Sequence, residues 1–392
     1  MGAYLSEPKR DKESEEASGD TWRLGASSMQ GWRVNMEDAH LVHEAFGGKE
    51  DTFLIGVFDG HGGPEVAKFV AKHLGNTILE SESYKSGKVE DALKASFLQM
   101  DDYLFRPYYR KQLKNWKKKS ASAQNIFQQI VQLASNNEDV DVVQALTRAE
   151  AEEQEAAAKD GEKKAKSSDK ESITGNSAAA SSTNSPGSKS TEEEESDISK
   201  DLKDLDPDDE VQAGCTAVVA WRQGSQLLIA NAGDSRAVLC RNGKAVALST
   251  DHKPELPGET SRIKKAFGYI ENGRVNGNLN LSRAIGDLTY KKNTDITPEE
   301  QVITADPEIT SWTLQDDDDF LILGCDGIWE IKTNQEIVDY VKERLHECKG
   351  EGARPLSWIC EQFMDSILSE DIARTEGMGC DNMTMIIIEL RK

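Results

Sequence analysis

Apolar residues in this chain form several short unbroken runs, and two of these runs end at an aspartate followed by glycine. Residues 53–58 (Phe-Leu-Ile-Gly-Val-Phe) lead into Asp59, and residues 320–325 (Phe-Leu-Ile-Leu-Gly-Cys) lead into Asp326. Short apolar runs bounded by turn residues predict buried strands. Each strand would bring its aspartate to the rim of a hydrophobic core, where unpaired negative charge is costly. The pattern therefore predicts carboxylates gathered at strand ends.

Other stretches have the periodicity of helices or of further strands. The helical stretches are residues 66–78, 89–104, 337–345 and 356–367. The strand-like stretches are residues 216–220, 226–231, 236–241, 244–248 and 383–390. Pro64 can start the first helix, Thr333 with Glu336 forms a capping box, and Asn242-Gly243 is a strong hairpin signal. Hairpin-linked strands with helices in separate blocks predict antiparallel sheets covered by helices, an α+β layered domain.

The composition changes within the predicted folded domain, residues 21–392. Residues 111–210 form an insertion whose first part has amphipathic helical spacing at residues 126–134 and 140–146. Residues 150–210 are mostly Ala, Ser, Glu and Lys, a composition that cannot bury enough surface to offset the entropy of ordering. We therefore expect an acidic, partly helical and largely disordered insertion. It could serve as a tether, as a phosphorylated or partner-docking segment, or as a passive loop.

The residues before this domain suggest a targeting signal. Residues 1–20 are polar, and we expect them to be mobile. The first six residues, Met-Gly-Ala-Tyr-Leu-Ser, fit the N-myristoylation pattern, with Gly2 as the acceptor and Ser6 at the required position. One acyl chain holds a protein only reversibly at a membrane, and the few basic side chains nearby are largely cancelled by acidic ones. The pattern predicts weak peripheral membrane association.

Charge and cysteine usage narrow the class of protein. The 392 residues carry a net charge of −23, of which residues 150–210 contribute almost half, with 19 acidic and 8 basic side chains. This balance argues against a nucleic-acid partner, because phosphate backbones would be repelled. Six cysteines without CxxC spacing predict reduced, mostly buried thiols. With no secretory signal and no run of 18 apolar residues, we expect a soluble monomer in the cytoplasm, with the nucleus as a further location.

The candidate chemistry lies in aspartates at predicted strand ends. These residues are Asp59, Asp234, Asp326 and Asp381. Several carboxylates at one rim would repel one another unless a cation held them, and carboxylates without companion His or Cys suit Mg²⁺ or Mn²⁺. Asp-Gly is also a common hairpin turn, so isolated pairs need no metal. His61 lies on the short loop after Asp59 and favours the metal site, although a structural histidine remains an alternative.

Seven motifs along the chain are more specific than any single aspartate. They are Gly31–His40 (GWRVNMEDAH), Val57–Gly63 (VFDGHGG), Gly214–Ala217 (GCTA), Asn231–Arg236 (NAGDSR), Ser282–Asp287 (SRAIGD), Cys325–Trp329 (CDGIW) and Cys380–Thr384 (CDNMT). In this order they resemble the type 2C, metal-dependent serine/threonine protein phosphatases. The resemblance spans roughly residues 21–110 and 211–390. It implies a four-layer α-β-β-α sandwich with two antiparallel sheets, and hydrolysis of phosphoserine and phosphothreonine in phosphoproteins by direct attack of a metal-bridging hydroxide.

The resemblance also assigns metal-binding positions. The ligands of two Mg²⁺ or Mn²⁺ ions would be Asp59, which bridges them, the Gly60 carbonyl, Asp326 and Asp381. The positions that hold metal-bound water would be Glu37 and Asp38. A third, weaker metal position would use Asp234 with Asp326, and Glu330 stands where the family usually has aspartate.

Two further residues match catalytic positions of the family. Arg33 matches the phosphate-binding arginine, and a planar guanidinium suits a tetrahedral phosphate dianion. His61 matches the general acid that protonates the leaving alkoxide, a contribution typically on the order of 10²–10⁴ in rate. Without the resemblance, a surface ion pair of Arg33 with Glu37 or Asp38 would be the simpler interpretation.

Two departures from the family pattern stand out. Cys215 occupies a position where the family often has serine, and we interpret it as a tolerated small buried residue. Residues 267–270 (Phe-Gly-Tyr-Ile) fall in the family's variable flap beside the active site. Their aromatic side chains could affect substrate choice, and packing in the core is the alternative.

Two other functions compete with an active phosphatase. A catalytically weak relative could act as a binding module through its acidic insertion, although every main metal-site residue is present. An aspartyl-phosphate hydrolase could use Asp59 as its nucleophile. That chemistry needs a second aspartate two residues later, where this chain has His61.

Overall fold

Strands from both ends of the chain pair into two antiparallel sheets in the computed structural model, which describes residues 4–106, 108–114, 116–117 and 211–391. The strands are β1 Tyr4–Gly19, β2 Trp22–Arg33, β3 Ala39–His43, β4 Thr52–Phe58, β5 Gly60–His61, β6 Gly214–Cys215, β7 Ala217–Gln223, β8 Gln226–Ala232, β9 Arg236–Arg241, β10 Lys244–Ala247, β11 Ile270–Glu271, β12 Arg274–Val275, β13 Ile285–Gly286, β14 Glu308–Thr313, β15 Asp318–Gly324 and β16 Met383–Leu390. The α-helices are α1 Glu65–Glu80, α2 Glu82–Lys85, α3 Val89–Phe105, α4 Pro257–Lys265, α5 Asp326–Trp329, α6 Asn334–Arg344, α7 Ser357–Ile367 and α8 Ile372–Thr375. Short 3₁₀ helices cover Phe46–Gly48, Leu288–Tyr290, Pro298–Glu300 and Leu345–Cys348.

The two main sheets form the centre of a four-layer sandwich. The larger sheet has the strand order β1-β2-β16-β15-β9-β10, and the smaller sheet has the order β14-β8-β7-β4-β3. A short sheet β13-β6-β5 and the hairpin β11-β12 are formed beside them. Helices α1 and α3 cover the smaller sheet, whereas α6 and α7 cover the larger one. The predicted α+β class and the α-β-β-α arrangement are confirmed.

Side chains of β4 show how the layers share the core. Phe53 and Val57 belong to the core between the sheets, where the Phe53 ring meets Trp22 of β2 edge to face at 5.2 Å between ring centroids. Leu54 and Phe58, on the opposite face of the strand, pack with α1 and α3. Each such buried side chain contributes roughly 1.5–3 kcal/mol to folding. Because β4 is buried on both faces, its sequence is an apolar run and not an alternating one.

One glycine sets the distance between the larger sheet and its helix layer. A Cβ atom on Gly25 of β2 would lie 2.1 Å from the backbone nitrogen of Ser357, the first residue of α7. No side chain fits in that space, so glycine lets α7 pack directly on the strand.

The predicted helix and turn signals are confirmed. The Thr333 hydroxyl accepts a hydrogen bond from the Glu336 backbone, and the Glu336 carboxylate accepts one from the Thr333 backbone. Helix α1 begins directly after Pro64. Asn242 and Gly243 both have positive φ, at 51° and 72°, as a tight hairpin requires.

The prediction that residues 1–20 are mobile is wrong where β1 forms. This segment pairs antiparallel with β2 at the edge of the larger sheet. Leu5 is buried, and the Glu16 carboxylate accepts hydrogen bonds from the backbone N–H groups of Leu356 and Ser357 at the start of α7. A highly charged strand is typical of a sheet edge, where charge prevents pairing with other chains. Most of its side chains are polar and exposed, so its sequence lacks the apolar alternation that would predict a half-buried strand.

Several predictions concern residues that the structure does not describe. Of the insertion at residues 111–210, only residues 111–114 and 116–117 are described, and they are helical. The two predicted helices within it and Gly2 lie outside the described residues. None of the helices in the described part of the chain is long and apolar enough to cross a membrane. All six cysteines are buried free thiols, as predicted.

Candidate active site

Strand ends from both sheets bring carboxylates together. Asp59 follows β4 and Asp234 lies two residues after β8, both from the smaller sheet, while Asp326 follows β15 and Asp381 precedes β16 in the larger sheet. One oxygen from each of Asp59, Asp234 and Asp326 lies within 4.8 Å of the others, and Asp326, Glu330 and Asp381 form a second group of this kind. Asp326 belongs to both groups. The predicted ligands therefore form one continuous carboxylate cluster, which isolated turns would not require.

The cluster lacks enough positive charge of its own. Burial, together with repulsion by neighbouring aspartates, raises the pKa of Asp59 and of Asp326 well above the usual value. Burial also raises the pKa of Asp38 to about 7, although a hydrogen bond from Thr384 opposes the shift. Among the described residues, the candidate metal-binding groups contain carboxylates and the Cys325 sulfur but no histidine. This donor set fits a hard divalent cation such as Mg²⁺ or Mn²⁺.

Close backbone contacts hold the loops around the cluster. A Cβ atom on Gly60 would lie 2.2 Å from the carbonyl oxygen of Glu37, so glycine is required where these two loops meet. The Glu37 backbone N–H donates to the Asn382 side chain at 2.9 Å. The Asn382 amide in turn donates to the carbonyls of Gln30 and Asn35. The Asn382 side chain thus joins the backbone of three residues, Gln30, Asn35 and Glu37, whereas the sequence predicted only a turn at this position.

Arg33 lies at the edge of the cluster. Its Nη2 donates to Asp381 Oδ2 at 2.5 Å, and its side chain is 36% exposed. Burial lowers the pKa of Arg33, but the Asp381 charge and hydrogen bond outweigh burial and raise it overall. Its Nε is buried without a hydrogen-bond partner. Arg33 forms its ion pair with Asp381 and not with Glu37 or Asp38, so the simpler surface pairing considered from sequence is not what the structure contains.

His61 is held by a carboxylate outside the cluster. The His61 Nε2 and Asp287 Oδ2 atoms are 2.7 Å apart, and Asp287 is buried in a left-handed conformation with φ of 51°. Burial lowers the pKa of His61, whereas the Asp287 charge and hydrogen bond raise it, and the net direction is upward. A Cβ atom on Gly214 would lie 2.3 Å from Asp287 and 2.6 Å from His61. Gly214 therefore leaves the space in which the pair forms.

Lys253 was not among the predicted site residues. Its ammonium contacts the Asp234 carboxylate. It also lies close enough to Asp326 and Glu330 to lower the pKa of each of these carboxyl groups, against the larger upward effect of burial. The predicted third metal position thus already has a cationic side chain among its ligands. A lysine one residue after His252 gives no sequence signal for this contact.

The predicted flap segment exposes its aromatic side chains. Phe267 is 87% exposed and Tyr269 is 55% exposed, so packing in the core is wrong for both. Cys215 is fully buried in β6, in agreement with its interpretation as a tolerated core residue.

Comparison with known proteins identifies similar chains. A family model described as protein phosphatase 2C matches residues 22–122 and 108–373. The chain is 39% identical to probable protein phosphatase 2C 11 of Oryza sativa subsp. japonica, over 100% of this chain and 91% of the relative. It is 36% identical to protein phosphatase 2C 1 of Paramecium tetraurelia, over 100% of both. A solved phosphatase from a pathogenic strain of Toxoplasma gondii is similar in fold, with a TM-score of 0.59, 19% identity, and coverage of 97% of this chain and 96% of that chain.

Replacing Lys253 should strengthen cation binding at the cluster. In Lys253→Met the ammonium beside Asp234 is removed, so we expect Mn²⁺ to bind about fivefold more tightly or better next to Asp234, since repulsion between the two positive charges is relieved at short range. Isothermal titration calorimetry of the metal-free protein measures this directly. Lys94→Met is the matched control, because Lys94 is similarly exposed and pairs with Asp306 at 3.2 Å outside the cluster. Equal Mn²⁺ affinity in both variants would contradict the expectation.

Proposed function

The chain belongs to the protein phosphatase 2C family and is a metal-dependent serine/threonine protein phosphatase, and we propose that the carboxylate cluster with Arg33 and His61 carries this activity. The observation that supports the proposal most strongly is the convergence of Asp59, Asp326 and Asp381 from two different sheets. Carboxylates whose pKa is raised by burial and by neighbouring charges, as for Asp59 and Asp326, are typical of a catalytic site.

We propose that the cluster holds two Mg²⁺ or Mn²⁺ ions. Asp59, the Gly60 carbonyl, Asp326 and Asp381 would be direct ligands, and Glu37 and Asp38 would act through water. When bound, such ions make water a nucleophile near neutral pH and neutralise phosphate charge. A third, weaker position would lie at Asp234, Asp326 and Glu330. Asp326 lies close to Asp234 in one cluster of carboxylates and close to Glu330 in the other, and the Lys253 ammonium already contacts Asp234.

Arg33 would bind the substrate phosphate. Asp381 holds one side of its guanidinium, and the unpartnered Nε leaves a donor for an additional acceptor. The guanidinium presents its donors in a rigid fork, which matches two phosphate oxygens better than a lysine ammonium does. The pair with Asp381 therefore orients the arginine beside the metal ligands.

His61 would protonate the oxygen of the leaving serine or threonine. Its Nε2 faces Asp287, and this contact raises the pKa of His61, so the imidazole keeps its proton to higher pH than an isolated histidine does. An alkoxide is a poor leaving group without a proton donor. We assign Asp287 as a residue that positions His61 and does not itself contact substrate.

For the remaining properties we propose a monomeric, cytoplasmic enzyme that acts on phosphoproteins, with the nucleus as a further location. The N-terminal pattern supports acylation of Gly2 and weak peripheral membrane association. Mass spectrometry of the protein from its native cell decides this point, and an unmodified N-terminus would remove the membrane proposal.

Loss of a shared metal ligand should abolish hydrolysis. We expect the wild-type protein to release phosphate from a phosphothreonine peptide in the presence of Mn²⁺. In Asp326→Ala the rate should fall by a factor on the order of 10³ or more, because Asp326 belongs to both sets of neighbouring carboxylates. Asp339→Ala, an exposed aspartate on α6, is the control for loss of one acidic residue. Well-folded wild-type protein without turnover would favour the binding module. A trapped covalent phosphoenzyme would favour the aspartyl-phosphate mechanism.

The effect of His61→Gln should depend on the leaving group. For a phosphothreonine peptide we expect kcat to fall by about 10²–10⁴, the usual value of a general acid. For p-nitrophenyl phosphate, whose leaving group is far more acidic than a threonine hydroxyl, the decrease should be much smaller. Steady-state kinetics with both substrates in the same metal buffer make the comparison. Equal decreases for the two substrates would show that His61 acts through the metal site and not as a proton donor.

A further inference from the structure

A tight turn beside the active site holds an exposed methionine. Glu376, Gly377 and Gly379 have φ angles of 53°, 90° and 70°, so three of four consecutive residues are in the left-handed region. Between them Met378 is 55% exposed. A large apolar side chain is thus displayed on a turn whose conformation is strongly restricted, directly before the metal-site segment that begins at Cys380.

Two further apolar side chains flank this turn. Tyr4 pairs with Arg33 in the sheet register, and its hydroxyl lies 3.1 Å from the position of a Cβ atom on Gly377. Ile331, which is 37% exposed, places its Cδ1 2.9 Å from the position of a Cβ atom on Gly379. Tyr4 and Ile331 therefore approach the two glycines on either side of Met378, and we call these three side chains the apolar rim.

The apolar rim borders the place where phosphate would bind. The Gly379 backbone lies near enough to the Glu330 carboxylate to lower the pKa of Glu330, and one oxygen of Glu330 lies within 4.8 Å of an oxygen of Asp381. Asp381 in turn holds Arg33. A substrate whose phosphate contacts Arg33 would have its neighbouring residues within a few ångströms of the rim, because successive residues of an extended peptide are about 3.3–3.6 Å apart.

The charge around the rim also discriminates between substrate residues. Glu330 is exposed beside the rim, and Glu376 is exposed on the turn. Both would repel an acidic side chain placed between them, whereas an apolar side chain would gain contact with Met378 and Ile331. The charge near the rim therefore disfavours acidic substrate side chains, and the apolar side chains of the rim favour apolar ones.

We propose that the apolar rim binds the substrate residue next to the phosphorylated serine or threonine and favours an apolar side chain there over an acidic one. This inference rests on the proposed function of the same site. The occupant is the substrate peptide, because Tyr4 of the rim pairs in the sheet with Arg33, the residue proposed to bind the phosphate.

Matched phosphopeptides test the rim. Phosphothreonine peptides carry Leu, Ala or Glu at the position directly before or directly after the phosphoresidue and are otherwise identical. For the wild-type protein we expect kcat/KM to favour Leu over Glu by about fivefold or more at one of the two positions, as burial of part of one apolar side chain implies. In Met378→Ser, Ile331→Thr and Tyr4→Ser the Leu-to-Glu ratio should fall by at least half, whereas Met378→Leu should keep it.

A control variant and the possible outcomes distinguish failure of the rim inference from failure of the phosphatase function. Phe105→Ser changes a residue of similar exposure (45%) at the end of α3 and should keep the wild-type ratio. If the wild-type protein releases phosphate from the Ala peptides but shows no preference at either position, or a preference that the rim variants retain, the rim inference is overturned and the phosphatase function stands. If folded wild-type protein releases no phosphate from any peptide, both fail.

Discussion

Repulsion between buried carboxylates is the constraint on which the rest of this structure depends. Asp59, Asp234 and Asp326 are close together, and burial raises the pKa of each. Repulsion by neighbouring aspartates raises the pKa of Asp59 and of Asp326 further. Such groups remain ionised together only if cations offset their charge. Arg33 and Lys253 supply part of that charge from within the protein. Under the proposed function, metal ions would supply the remainder, and the carboxylates that repel one another would be the residues that bind these ions.

The packing of the two sheets sets the spacing of this cluster. Asp59 comes from the smaller sheet and Asp326 from the larger one, so the distance between them depends on the hydrophobic core that holds the sheets together. Close backbone contacts then set the loops: a Cβ atom on Gly327 would lie 2.2 Å from the carbonyl oxygen of Asn382. Catalytic groups lose much of their effect when displaced by about 1 Å. Core side chains far from the phosphate therefore contribute to catalysis through position alone.

Much of the fold could be predicted from the sequence, and the failures concern features that local patterns do not contain. The capping box at Thr333 and the Asn242-Gly243 turn were predicted correctly because each depends on residues a few positions apart. Strand β1 was missed because most of its side chains are polar and exposed, so it lacks the apolar alternation of a half-buried strand. Its contact with the start of α7 joins residues 340 positions apart. The contact of Asp287 with His61 was missed because the two residues are 226 positions apart. The contact of Lys253 with Asp234 was missed because a lysine 19 positions from an aspartate belongs to no local pattern.

The sequence by itself determined which residues stand at the strand ends and where the helices begin, because both follow from local pattern. It also determined that a set of neighbouring aspartates requires cations, because this follows from the chemistry of carboxylates. Only the tertiary structure decided which carboxylates share a group, that Arg33 pairs with Asp381 and not with its neighbours Glu37 and Asp38, and that Lys253 reaches the cluster. These contacts join segments that the chain brings together only when two sheets pack, and the distances between them are set by that packing and not by spacing along the chain.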